Sequence, residues 1–149
     1  MTAPEEKSKV EDPEHIRELL RGFCKALNEK RPDLAEKCFQ DDCLLHYGSW
    51  TGAMRSEGKM ILGMWLRGFP DFAFEVKDIV VDGNRGAMRL TFTGTQTGEF
   101  LGLAPTGKRI QCTESLFVLV RDGKIAEAWE DYDELGMWRQ LGLKLPKPS

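Results

Sequence analysis

Near its C-terminal end the chain gathers Glu130, Asp131, Asp133 and Glu134 around Trp129 and Tyr132, in the stretch KIAEAWEDYDELGMWRQLG. Acids beside aromatic rings can do proton-transfer chemistry, because burial and mutual repulsion lift one carboxyl toward neutral pH. If the stretch is a strand, alternation puts Ala126, Ala128, Glu130 and Tyr132 on one face and Ile125, Glu127, Trp129 and Asp131 on the other. Two alanines fill little volume, and a carboxylate is costly to bury alone, so a hollow holding water or a ligand fits the first face. A solvated sheet face fits it equally, and Glu130 would then simply stand in water.

Glu114 supplies a second acid. It alternates with Leu116, Val118 and Val120, so one carboxylate stands near the start of an apolar face. Sharing the hollow with Glu130, it would drive one of the two pKa values upward; alternatively it closes a strand-end salt bridge to Arg89 or Arg109. His46, beside Tyr47 in DDCLLHYGSW, could move a proton or make a structural hydrogen bond. His15 lies in a first helical turn and is assigned no role. No Ser/His/Asp spacing, glycine-rich phosphate loop or metal-ligand cluster accompanies these residues. The expectation is proton transfer or binding, with no cofactor and no metal.

Those groups need elements to position them. Asp12 and Pro13 open a helix whose apolar stripe runs through Ile16, Leu19, Leu20, Phe23, Cys24 and Leu27. Arg31 and Pro32 restart a shorter helix, and a third carries Met60, Ile61, Met64 and Trp65 before Gly68 and Pro70. The period then becomes two through Phe72, Phe74 and Val76, with a turn at DGNR. Asp122 and Gly123 suit the positive φ angles of a tight hairpin turn in ESLFVLVRDGKIAEAWEDY. Helices followed by adjacent strands predict an α+β fold with helices packed on one face of an antiparallel sheet.

The 149 residues make one domain, expected over 13–143 with disordered tails at 1–12 and 144–149. A net charge of -3 offers no basic surplus for phosphates, so neither nucleic acid nor an anionic membrane is expected as a partner. Four cysteines without CxxC read as reduced thiols. With no apolar leader or spanning segment visible, a cytoplasmic location is expected.

The stretch TGTQTGEFLGLAPTGKRI, followed by VRDGKIAEAWEDYDELGMWRQLG, resembles the SnoaL-like polyketide cyclases of the nuclear-transport-factor-2-like superfamily. CFQDDCLLHYG and GFPDFAFEVKDIVVDGNR agree in order, and the resemblance runs from about Pro13 to Leu143. It implies a cone-shaped fold, a curved antiparallel sheet around a pocket closed by the N-terminal helices. It also implies a cofactor-independent aldol ring closure in which one acid is general acid/base. The catalytic aspartate of those cyclases falls on Glu130. Their assisting strand histidine falls on Leu116, and the histidine after the Gly-Thr pair falls on Gln96.

The leading expectation is therefore an acid/base enzyme that cyclises or isomerises a small apolar or aromatic, ketone-like ligand. Glu130 would be the base, with Glu114 nearby. His46, Tyr47, Gln96 or Arg89 would donate to the oxygen. Trp50, Met60, Met64, Trp65, Phe72 and Phe100 would give the apolar lining, with Leu116 also on the substrate wall. A binding or assembly module is the alternative, and an epoxide hydrolase of the limonene type, built from Glu130, Arg89 and Glu114, is a minor one. In either main case a homodimer is expected through the outer sheet face, where alternation puts Trp129, Ile125, Phe117 and Leu119.

Overall fold

The computed structural model describes residues 9–144; the tail expectations for 1–8 and 145–149 lie outside the described residues. Residues 9–12, expected in the disordered tail, are anchored. Asn84 donates to the Lys9 carbonyl at 2.9 Å, the Glu11 N–H donates to Asn84 at 2.8 Å, and the Gly123 N–H donates to the Glu11 carboxylate at 3.1 Å. These bonds tie the entry of the first helix to two hairpin turns.

Helix α1 is Pro13–Asn28, capped by the Asp12 side chain accepting from the Glu14 N–H, and it buries Ile16, Leu20, Phe23, Cys24 and Leu27. After α2 (Pro32–Glu36) come β1 (Phe39–Tyr47), β2 (Trp50–Ala53) and a π-helical turn, Met54–Gly58, leading into α3 (Lys59–Gly68). Then follow β3 (Ala73–Asp82), β4 (Arg85–Thr95), β5 (Arg109–Arg121), β6 (Lys124–Tyr132) and α4 (Glu134–Gln140). The six strands form one sheet in the order β2-β1-β6-β5-β4-β3, antiparallel except where β1 meets β6. The turn between β5 and β6 has positive φ at Asp122 (50°) and Gly123 (75°), as its sequence requires.

Register shifts interrupt three of the ladders: between Val76 and Asp78, between Leu119 and Val120, and between Phe39 and Leu44. Each extra residue bends its strand, and the sheet curves into an open cone that α1, α2 and α3 close. The bulge on β6 corrects one expectation. Leu119 stands opposite Glu127 but Val120 opposite Ile125, so Ala126 is the extra residue and the alternation resets across it. Ile125 is consequently in the core at 0% exposure and not on the outer face.

Candidate active site

Inside the cone lies a cavity whose empty space, solvent-filled mouth included, is about 1070 Å³. Its walls are largely apolar and carry eight aromatic rings: Phe23 from α1, Phe39 and Tyr47 from β1, Trp65 from α3, Phe72, Phe74, Phe92 and Tyr132. At the mouth, Lys59 pairs with Glu36 at 3.0 Å and Arg55 with Asp41 at 3.7 Å. Among the described residues no cluster of three His, Cys, Asp or Glu side chains could hold a metal ion.

Glu114 and Glu130 both line this cavity. Register explains why. Glu114 stands opposite Tyr132 and Leu116 opposite Glu130, so the two glutamates share a face as diagonal neighbours on adjacent strands. Diagonal Cβ atoms lie roughly 7–8 Å apart, close enough for two three-carbon acids to meet. Each side chain keeps some surface facing the hollow, yet protein surrounds it on every other side. Burial pushes Glu130 up to about 7, opposed by a hydrogen bond from Glu114 and reinforced by the charge of Asp131. Burial also raises Glu114 well above the ordinary range, with the Glu130 charge and the hydrogen bond adding to it. Two carboxyls in one apolar site cannot both ionise cheaply, so Glu114 keeps its proton while Glu130 gives its own up near neutrality.

Tyr47 is the register partner of Glu130 across the parallel β1–β6 pair, and it too faces the cavity. Its ring stacks on Tyr132 at 5.6 Å, and the Trp65 indole N–H donates to its hydroxyl at 3.2 Å. Burial raises the phenol, which stays protonated.

Other expected site residues lie elsewhere. His46 is on the outer face, stacked on Trp129 at 5.1 Å, with Nε2 at 2.7 Å from the Glu127 carboxylate and Nδ1 at 2.9 Å from the Thr51 hydroxyl. Strand alternation forces this, because Cys43, Leu45 and Tyr47 point inward and leave Leu44 and His46 outside. Arg89 sits between buried Met88 and Leu90 and so points outward, bound to Asp78 at 2.6 Å. It reaches neither glutamate, and an acid–arginine–acid set for epoxide hydrolysis is not assembled on Arg89. Arg109 is exposed on the outward parity of β5, so the salt-bridge alternative for Glu114 falls with it.

Leu116 is packed into the core at 3% exposure and outside the cavity lining. Phe100 is also outside the lining, behind Trp65 with ring centroids 4.6 Å apart. Trp50 and Met64 are half-buried beside the core but likewise outside the lining, where Ile61, Leu62 and Trp65 are the α3 contributors. Gln96 is an organiser of the loop after β4. Its amide donates to the carbonyls of Gly98, Leu103 and Ala104, and its oxygen accepts from the Thr106 N–H and hydroxyl. Replacing it with Leu leaves those buried groups unsatisfied and is expected to cost about 3 kcal/mol, measured as a shift of the urea midpoint at unchanged m-value. A midpoint within error of the parent would contradict that role.

Tyr132 lines the cavity on the Glu130 face, as alternation indicates, whereas the sequence reasoning did not nominate the walls Phe23, Phe39, Phe74 and Phe92 or the mouth set Glu36, Asp41, Arg55 and Lys59. Tyr132 shares parity with Glu130, and Phe92 with Met88 and Leu90, so alternation carried a signal for both. Nothing local in the sequence brings α2 and the π-helical turn to one mouth.

The family model described as SnoaL-like polyketide cyclase matches residues 17–141. No curated protein sequence matches the chain. Among solved structures, AclR from Streptomyces galilaeus, a candidate hydroxylase, is similar at 28% identity and TM-score 0.83, with 91% of this chain and 89% of AclR covered. IdmH from Streptomyces antibioticus, a candidate polyketide cyclase, is similar at 28% identity and TM-score 0.76, covering 85% and 98%. A candidate SnoaL-like polyketide cyclase from Jannaschia sp. CCS1 shares the fold at 16% identity and TM-score 0.81, covering 89% and 95%.

Proposed function

This chain belongs to the SnoaL-like polyketide cyclase family, and on that premise we propose that it is a cytoplasmic, cofactor-independent acid/base enzyme. It acts on a small polycyclic or polyketide-like ketone by intramolecular aldol cyclisation or isomerisation. The observation that carries this reading is the pair Glu114 and Glu130 on one face of an aromatic cavity, with Glu130 raised to about 7. A base poised near the working pH combines a useful ionised fraction with useful strength, and such groups contribute about 10²–10⁴ in rate.

The proton bookkeeping closes within the site. The Glu130 carboxylate takes a proton from the carbon next to the ketone, and the C–H electron pair becomes the enolate double bond as charge moves to oxygen. In cyclisation the enolate carbon bonds to a second carbonyl carbon of the same molecule, and the new alkoxide recovers the proton from Glu130. In isomerisation the proton returns to a different carbon. Glu114, protonated throughout, stabilises the Glu130 carboxylate by hydrogen bonding while that group is ionised.

The test uses 2-tetralone, a bicyclic aromatic ketone with exchangeable hydrogens beside its carbonyl. NMR in D₂O should show deuterium entering those positions at least 10²-fold faster with the protein than in matched buffer. Binding without faster exchange would go against the enzyme and favour the alternative, a binding or assembly module.

The protein acts as a homodimer through its outer sheet face. Phe117, 41% exposed, packs there against Trp129, and Val80 is 64% exposed on the same side. Unpartnered aromatic surface of this kind is stabilised by burial against a second copy. Phe117→Asp should convert a dimer to a monomer in sedimentation at micromolar concentration; a parent chain that already sediments as a monomer would contradict the assignment.

A further inference from the structure

We propose that this cavity takes a protonated organic amine on a flat apolar body, with its ammonium group held against the Glu130 carboxylate. Such binding goes beyond the ketone reading and does not rest on it, since no proton moves to or from carbon. Among the described residues deep in the cone, the side-chain donors are already engaged. The Trp65 indole N–H donates to the Tyr47 hydroxyl at 3.2 Å, Tyr47 gives its own proton to Tyr132, and Tyr132 gives its proton to Glu134. The Glu114 carboxyl donates to Glu130. At the mouth, Gln40 donates to the Arg121 carbonyl at 2.6 Å, and Lys59 and Arg55 are paired with Glu36 and Asp41.

What faces the hollow unspent is acceptor capacity. An ionised carboxylate offers about four lone-pair positions, and the Glu114 proton occupies one of them on Glu130. The charges around that group are also of one sign: Glu114 on β5 and Asp131 on β6 are acids. Burial, and then the charges of Glu114 and Glu130, push the Cys24 thiol on α1 up to about 12, while burial, Tyr132 and Glu130 raise the Tyr47 phenol on β1. The lining from β4 and α3 at this depth is Phe92, Ile61, Leu62 and Trp65, which carry no charge.

A ligand ammonium supplies the opposite charge, gives N–H groups to the spare oxygens and lies among rings whose faces attract cations. Two carboxyls do not build the cage of about six to eight oxygens that a calcium ion takes. An organic cation, whose apolar body the walls cover, fits this site better than a metal.

Three bicyclic probes of one shape and different charge test the proposal: 2-aminotetralin as its ammonium, neutral tetralin and tetralin-2-carboxylate. At pH 8 the parent protein should bind the amine about 10-fold tighter than tetralin, and the carboxylate more weakly than tetralin. Glu130 must be ionised to hold the amine, and it gives up its proton near 7. Calorimetry in two buffers of different ionisation enthalpy should therefore show roughly one proton released per amine bound at pH 6 and little at pH 8, with amine affinity rising about 10-fold between them. In the double variant Glu114→Gln/Glu130→Gln, the ratio of amine to tetralin affinity should fall close to one. The proton release is read on the parent and keeps the test decisive should that variant fail to fold.

Amine binding no tighter than tetralin binding at pH 8, or amine binding without proton release at pH 6, would overturn the proposal. A preference that survives in the double variant would place the amine at the acids of the mouth and overturn it as well. Amine preference without tetralone exchange would keep this site and sink the ketone enzyme, and exchange without amine preference would do the reverse.

Discussion

Glu130→Gln should lower protein-catalysed deuterium exchange into 2-tetralone by about 10²–10⁴-fold, while 2-tetralone affinity changes by no more than a few-fold. The amide keeps the shape and hydrogen-bonding capacity of the side chain but cannot accept a proton at neutral pH. The cavity wall is therefore preserved and only the base is lost. In the parent the exchange rate should rise with pH through about 7, where Glu130 loses its proton. Equal exchange in parent and variant would mean that another group, or none, moves the proton.

The second large effect is on stability. The Glu130 carboxyl is raised from an ordinary 4.5 to about 7, so the folded chain holds this proton more tightly than the unfolded one. Its contribution is fully present below about 4.5, the ordinary carboxyl range, and is lost as pH rises through about 7, where both states are ionised. The loss is on the order of 3 kcal/mol for this group. Glu114, also raised, extends the decline upward. Glu130→Gln carries no such cost, so it should gain stability relative to the parent as pH rises and exceed it at pH 8. Urea unfolding of both proteins across pH 4.5 to 8 checks this, since the difference between the curves cancels every acid outside the coupled Glu114–Glu130 pair. A constant difference would mean that Glu130 titrates alike in both states.

Alternation made much of the site legible. The parity of Ala128, Glu130 and Tyr132, and of Glu114 with Leu116 and Val118, marks faces that the structure brings together on one cavity. The same rule, applied to β1 and β4, would have placed His46 and Arg89 outside, since Leu45 and Tyr47, like Met88 and Leu90, occupy the inward positions. Chemical type nominates those two residues, and strand parity argues against both. Ile125 was not legible, because a one-residue bulge at Ala126 leaves no mark in residue types. Gln96 lies beyond the end of β4, where no period applies, and only its buried hydrogen bonds reveal what it does. The α+β order of elements and the helix start at Asp12 followed from local capping, turn chemistry and periodicity, which depend on neighbours in sequence. Which helix faces line the cavity depends on how α2 and α3 meet across its mouth, and no local pattern encodes that meeting.

The central claim is that two carboxyls inside this cone share a proton and one of them releases it near neutrality. Carboxyl ¹³C NMR of protein labelled at glutamate Cδ, titrated from pH 3 to pH 9, tests it most directly. The account predicts one resonance with a midpoint near 7 that vanishes in Glu130→Gln, and a second, from Glu114, that begins to titrate well above the remaining glutamates. If every glutamate titrates in the ordinary range near 4.5, the cavity holds no poised acid–base pair and the enzymatic reading fails.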